Sequence, residues 1–147
     1  MSIALKSLKE ELKNLAKDIK TSKPEYRGAQ STISKLCNSH NLQYLSWWER
    51  HQKSKNIEEF KVAEKAKWDS GAKLGKAQYE FRHRHIAYCL VRGTPIEKIE
   101  TLPKDRIRTN IPDMKYVEKL VAELKAKLVE EEVKYEQAVC NSATGSI

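Results

Sequence analysis

His85 and Cys89 stand four residues apart, a spacing that stacks two side chains on one helix face and sets a thiol beside an imidazole, as a nucleophile sits beside its base. Both fall in the stretch from Tyr79 to Arg92, whose apolar residues mark a core, and a buried cysteine there behaves as a small hydrophobe. His40, His51, Cys37 and Cys140 show no metal-ligand spacing. The sequence also lacks a glycine-rich phosphate loop, an HExxH helix, a paired CxxC and a GxSxG elbow. The expectation is a protein that is not an enzyme and carries neither metal nor cofactor.

A second kind of chemistry is contact with a polyanion. Lys6, Lys9, Lys13, Lys17 and Lys20 draw a stripe along one edge of the first helical segment, which is either a solvated face or a track for phosphates. Arg82-His83-Arg84-His85 looks basic, but its two arginines point 200° apart on a helix, so only one can meet a given phosphate backbone. The histidines then read as part-buried members of a core helix. Arg84 shares a face with Lys73 and Lys76, with Glu80 diluting the charge. Tyr44, Trp47 and Trp48, followed by Arg50, His51, Lys53 and Lys55, combine rings with cations as single-strand binders do. Adjacent helical residues point about 100° apart, so one tryptophan of the pair is equally suited to anchoring the core.

Leu90-Val-Arg-Gly-Thr-Pro-Ile-Glu-Lys-Ile-Glu100 resembles the first helix, glycine turn and second helix of helix-turn-helix DNA-binding proteins over about a dozen residues. The resemblance implies Arg106 and Arg108 as the nearest phosphate or base-edge contacts. The sequence departs from the pattern where a recognition helix is due, because Pro103 and Pro112 bracket an irregular stretch. Lys104, Arg106 and Arg108 stand in that loop beside one acid, Asp105.

The net charge of +8, from 28 basic and 20 acidic residues among 147, attracts nucleic acid or an acidic surface at long range. The phosphate-binding residues expected are therefore Lys6, Lys9, Lys13, Lys17, Lys73, Lys76, Arg84, Lys104, Arg106 and Arg108, acting on DNA or RNA without sequence choice. Three cysteines cannot all pair within one chain, and no apolar signal segment opens it, which together point to a reduced, cytoplasmic setting. The longest apolar run, Ile86 to Val91, is far short of the roughly 20 residues a membrane span needs.

These groups must be positioned by helices. Leu5, Leu8, Leu12, Leu15 and Ile19 form a 3,4 seam, with Ser2 as a cap and Ser22-Lys-Pro24 as the stop. Tyr26 to Cys37 gives a second helix ending between Asn38 and Asn41, and Leu42 to His51 a short third one. Asn56 caps a run from Ile57 to Arg92 in which Gly71 and Gly75 either admit a close neighbour or mark a break, the break being favoured. Gly93 stops that run, and Thr94-Pro-Ile-Glu97 has the residue types of a capping box for a short helix to Glu100.

Pro112-Asp113 opens the last helix, whose seam of Val117, Val121, Leu124, Leu128, Tyr135 and Ala138 is interrupted by Glu131. The expected fold is all-α, an irregular bundle of about five helices with long amphipathic helices at both termini. Residues 1–140 form one domain and 141–147 a flexible tail. The alternative to nucleic acid is a helical interaction or scaffolding module that meets a protein partner, or a second copy of itself, through the heptad seams.

Overall fold

The computed structural model describes residues 2–99 and 112–145. Among them the fold is all-α: α1 (Ile3–Ser39), α2 (Trp47–Ser54), α3 (Glu58–Val91) and α4 (Met114–Gly145), with a 3₁₀ turn at Ile96–Lys98. The four helices replace the five or so expected, because α1 runs through Pro24. A proline inside a helix removes one internal hydrogen bond and costs about 3 kcal/mol or more. Packing on the same segment works against that cost, where Ala29 is buried and the Tyr26 ring lies against α3.

Both ends of α1 are built from named side chains. At the start, Ser2 Oγ accepts the Leu5 N–H (3.0 Å) and Glu131 Oε1 accepts the Ala4 N–H (2.6 Å). Glu131, which breaks the apolar seam of α4, is thus the anion at the positive end of α1. At the finish, Asn41 adopts φ 56°, the Asn41 N–H donates to Asn38 O (3.2 Å) and the Leu42 N–H to Cys37 O (2.8 Å). This is a Schellman stop with asparagine in the left-handed position. Its usual apolar contact is present too, since Leu42, Cys37 and Phe60 form one buried cluster.

The short helix α2 begins at Trp47 rather than Leu42, because Ser46 is its cap and accepts the Glu49 N–H (3.3 Å). Helix α3 opens from Ile57, not Asn56, with Glu58 and Glu59 favouring its N-terminal dipole. It continues unbroken through Gly71 and Gly75, correcting the expected break. Gly71 instead receives Tyr26, whose ring carbons would lie 3.0 and 3.2 Å from an added Cβ, while nothing lies within 4 Å of one at Gly75. Gly93, at φ 88°, ends α3 in a second Schellman stop, with its own N–H on Leu90 O (3.0 Å) and the Thr94 N–H on Cys89 O (3.0 Å). The helix expected from Pro95 to Glu100 shrinks to the 3₁₀ turn, whose entry has no side-chain cap bond. The helix-turn-helix resemblance therefore lacks its second helix. Helix α4 continues to Gly145, past the expected start of a tail at Asn141.

By contacts the chain forms two compact units, a terminal one (Met1–Leu15 and Tyr79–Ile147) and a central one (Ala16–Gln78). In the central unit α1 and α3 bury Ala29, Cys37, Phe60, Ala63 and Leu74. In the terminal unit the buried set is Ala4 and Leu12 of α1, His83, Ile86 and Ala87 of α3, and Val117 and Leu124 of α4.

Candidate nucleic-acid interface

The terminal unit holds its helices together partly through polar groups. His83 is buried; its Nε2 accepts the Asp113 N–H (2.9 Å), which leaves Nδ1–H to donate to Tyr79 O (2.7 Å). Asp113 in turn caps α4 by accepting the Tyr116 N–H (3.3 Å). Tyr79 and Tyr116 pack on the same imidazole, at centroid distances of 4.2 and 5.5 Å. One turn on, the Arg84 guanidinium is paired with Glu80, contacts Glu11 Oε2 (3.3 Å) and donates to Tyr116 Oη (3.2 Å). Tyr116 completes the ring by donating to Glu80 Oε2 (2.8 Å). Of the residues expected to meet phosphate, Arg84 is thus half-buried and engaged by two carboxylates.

The others are placed variously. Lys6, Lys9 and Lys13 are exposed and line one recess of α1 with Glu10, so three expected cations do come together. Lys17 and Lys76 are exposed, and Lys73 borders a cavity of about 610 Å³ shared with Glu25, Glu59 and Asp69, an acidic neighbourhood. Lys104, Arg106 and Arg108 lie outside the described residues.

His85 and Cys89 do meet, with Nε2 and Sγ 3.6 Å apart. Burial raises the thiol above its ordinary range, against a smaller downward pull from Arg92, and burial lowers the imidazole. Both shifts favour the neutral pair over a thiolate and imidazolium, and His85 Nδ1 is enclosed without a hydrogen-bond partner. No group of three metal-ligating side chains occurs among the described residues.

The division into units exposes an asymmetry that net charge conceals. The central unit carries 13 Lys and Arg against 7 Asp and Glu, a balance of +6; the terminal unit carries 15 against 13, a balance of only +2. Three quarters of the excess positive charge therefore belongs to residues 16–78.

The same unit carries all three tryptophans, each largely in water: Trp47 is 75% exposed, Trp68 74% and Trp48 62%. Trp47 from α2 and Trp68 from α3 border one groove of about 320 Å³, with Ile33 and Phe60 as apolar lining and Arg50, Lys67 and Glu64 as its charged members. Arg50 is held by the turn before α2, donating from Nε to Leu42 O and from Nη2 to Gln43 O and Leu45 O, each at 3.3 Å. His51 lies parallel to the Trp47 ring (5.7 Å between centroids, 6° between planes) and tilted to Trp48 (6.4 Å, 41°). Exposed aromatic rings thus stand beside cations on one groove.

Trp68 was not singled out by sequence reasoning. It follows Lys67, off the 3,4 stripe of Phe60, Ala63, Ser70, Leu74 and Ala77 that α3 buries, and that offset is the signal that marks it as outward-facing. Comparison with known protein families, characterised proteins and solved structures finds no match to this chain.

Proposed function

We propose that this chain is a non-catalytic nucleic-acid-associated protein that holds the phosphate backbone of DNA or RNA through lysine and arginine side chains, chiefly those of the central unit. The observation that carries the reading is the charge partition: +6 in residues 16–78 against +2 in the rest. A surface of that sign concentrates a polyanion and releases its counterions on contact. The recess of Lys6, Lys9 and Lys13 adds a smaller set of phosphate contacts. The neutral His85–Cys89 pair supports a non-catalytic role. A reduced, cytoplasmic setting belongs to the same proposal.

The test is the salt dependence of binding to a labelled oligonucleotide, with two variants of equal charge change. Replacing Lys53, Lys65 and Lys76 by glutamine is expected to lower the slope of log K against log salt by about 0.7 to 0.9 per phosphate contact removed. Replacing Lys115, Lys119 and Lys125 of α4 should leave the slope nearly unchanged. Absence of any binding at about 50 mM salt, where such contacts are strongest, ends the proposal.

A second reading rests on a different observation. Val129, Val133, Tyr135 and Val139 of α4 are exposed, the pattern of a helix that meets a protein partner or a second copy. Light scattering in high salt separates the two, because association driven by apolar side chains persists where phosphate binding is screened.

A further inference from the structure

We infer that the groove between Trp47 and Trp68 is a stacking site for an unpaired nucleobase of a single-stranded polynucleotide; this rests on the nucleic-acid reading above and specifies its ligand. The argument begins with what the fold buries. Its central unit encloses Phe60, Leu42, Leu74 and Cys37 with alanines and serines, yet leaves its three tryptophans, the side chains with most to gain from leaving water, exposed by more than 60% each. The cluster of Cys37, Leu42 and Phe60 with Ile33, Leu36, Leu45 and Ile57 forms a core without them.

Position supplies the second step. Trp47 and Trp68 are 21 residues apart in sequence and on different helices, yet they border one groove. A volume of about 320 Å³ is at the small end of ligand-binding cavities, near 300 Å³. That size suits one planar group rather than a folded domain. His51, parallel to Trp47, helps to hold that ring in a fixed plane.

Charge selects the occupant. Lys67 and Arg50 stand in the groove against one carboxylate, Glu64, and Lys53 and Lys65 are exposed on the same two helices. A strand of alternating flat bases and phosphates satisfies both the rings and the cations. An acidic peptide would meet the cations but leave the indole faces unused, and a duplex keeps its bases stacked inside, out of reach of either ring. Stacking on an indole is indifferent to which base is offered, so little sequence preference is expected.

The test compares full-length protein and its Trp47→Ala, Trp68→Ala and Trp68→Phe variants by fluorescence anisotropy, on an oligothymidylate of about a dozen nucleotides and on a duplex of similar length. Each alanine variant is expected to bind the single strand roughly 5- to 150-fold more weakly, with duplex affinity changed by less than about twofold. Trp68→Phe keeps a ring and should retain most of the affinity. Both indoles are exposed, so the variants should keep the parent circular dichroism and melting temperature. Alanine variants that bind the single strand as the parent does, or that lose duplex and single strand alike, overturn the stacking site while leaving the phosphate reading intact. A parent protein that binds neither oligonucleotide overturns the nucleic-acid reading and this site with it.

Discussion

Replacing Gly71 and Gly75 by alanine, one at a time, should move stability in opposite directions, although the two glycines sit one turn apart on the same helix. Each substitution removes the entropic cost of a helical glycine, worth about 0.5–1 kcal/mol. At Gly75 nothing stands within 4 Å of the new methyl group, so the full gain is expected. At Gly71 the methyl would meet Tyr26 Cε2 at 3.0 Å and Cδ2 at 3.2 Å, so the ring or the helix must shift by a few tenths of an ångström. Overpacking of that kind costs about 1–3 kcal/mol.

The propensity gain is common to both variants and cancels in their difference, which isolates the packing cost at about 1–3 kcal/mol. Urea denaturation followed by circular dichroism reads it directly. With a slope near 1–3 kcal/mol per molar, the two midpoints should stand apart by the order of 1 M. Removing the ring closes the gap: in a Tyr26→Ala background, Gly71→Ala should stabilise as much as Gly75→Ala does. If Gly71→Ala raises the midpoint as far as Gly75→Ala with Tyr26 in place, the close packing of that ring on α3 is wrong.

Glu131→Ala removes the acceptor of the Ala4 N–H at the start of α1 and should cost about 0.5–2 kcal/mol in urea, with Glu131→Gln costing less because it keeps an acceptor. Burial raises the Cys89 thiol, so less of it is thiolate at a given pH; peptide mapping after iodoacetamide should find Cys89 modified more slowly in the native than in the unfolded chain, and equal rates would refute its half-buried contact with His85. His85 has its pKa lowered by burial, so the unfolded chain takes up a proton first as pH falls below the ordinary value of 6.5. Stability should therefore decline from that pH down to the depressed folded value, a decline that His85→Gln flattens in melting curves.

Much of the helical framework is legible in residue order because the signals are local. Ser2, Gly93 and Asp113 each act within a few residues of themselves, through a hydroxyl or carboxylate on a nearby amide or a backbone angle only glycine adopts freely. The failures share a different cause. Pro24 reads as a stop until the burial of Ala29 and the docking of Tyr26 are known, and Gly71 reads as a weakness until Tyr26 is seen against it. Glu131 interrupts a seam only while its partner is taken to be apolar; its partner is an amide 127 residues away. Each of these residues is a defect locally and a fit globally, which a pattern of spacings cannot distinguish.

The candidate site divides along the same line. The lysine stripe of α1 is visible because helical geometry alone aligns Lys6, Lys9 and Lys13. Arg84 looks equally available in sequence, but its charge is committed to Glu80 one turn away and to Glu11 on another helix, so counting cations overstates what a phosphate can reach. The groove is the reverse case. Trp47 draws attention through its neighbour Trp48, but stacking needs a second ring from elsewhere, and Trp68 stands alone in a lysine-rich stretch. Only the packing of α1, α3 and the segments flanking α2 on the Cys37–Leu42–Phe60 cluster brings the two indoles to one groove. It follows that a substitution in that cluster away from the groove, such as Leu42→Ala, should weaken single-strand binding without touching either ring, whereas disruption of the Arg84 network should leave it unchanged.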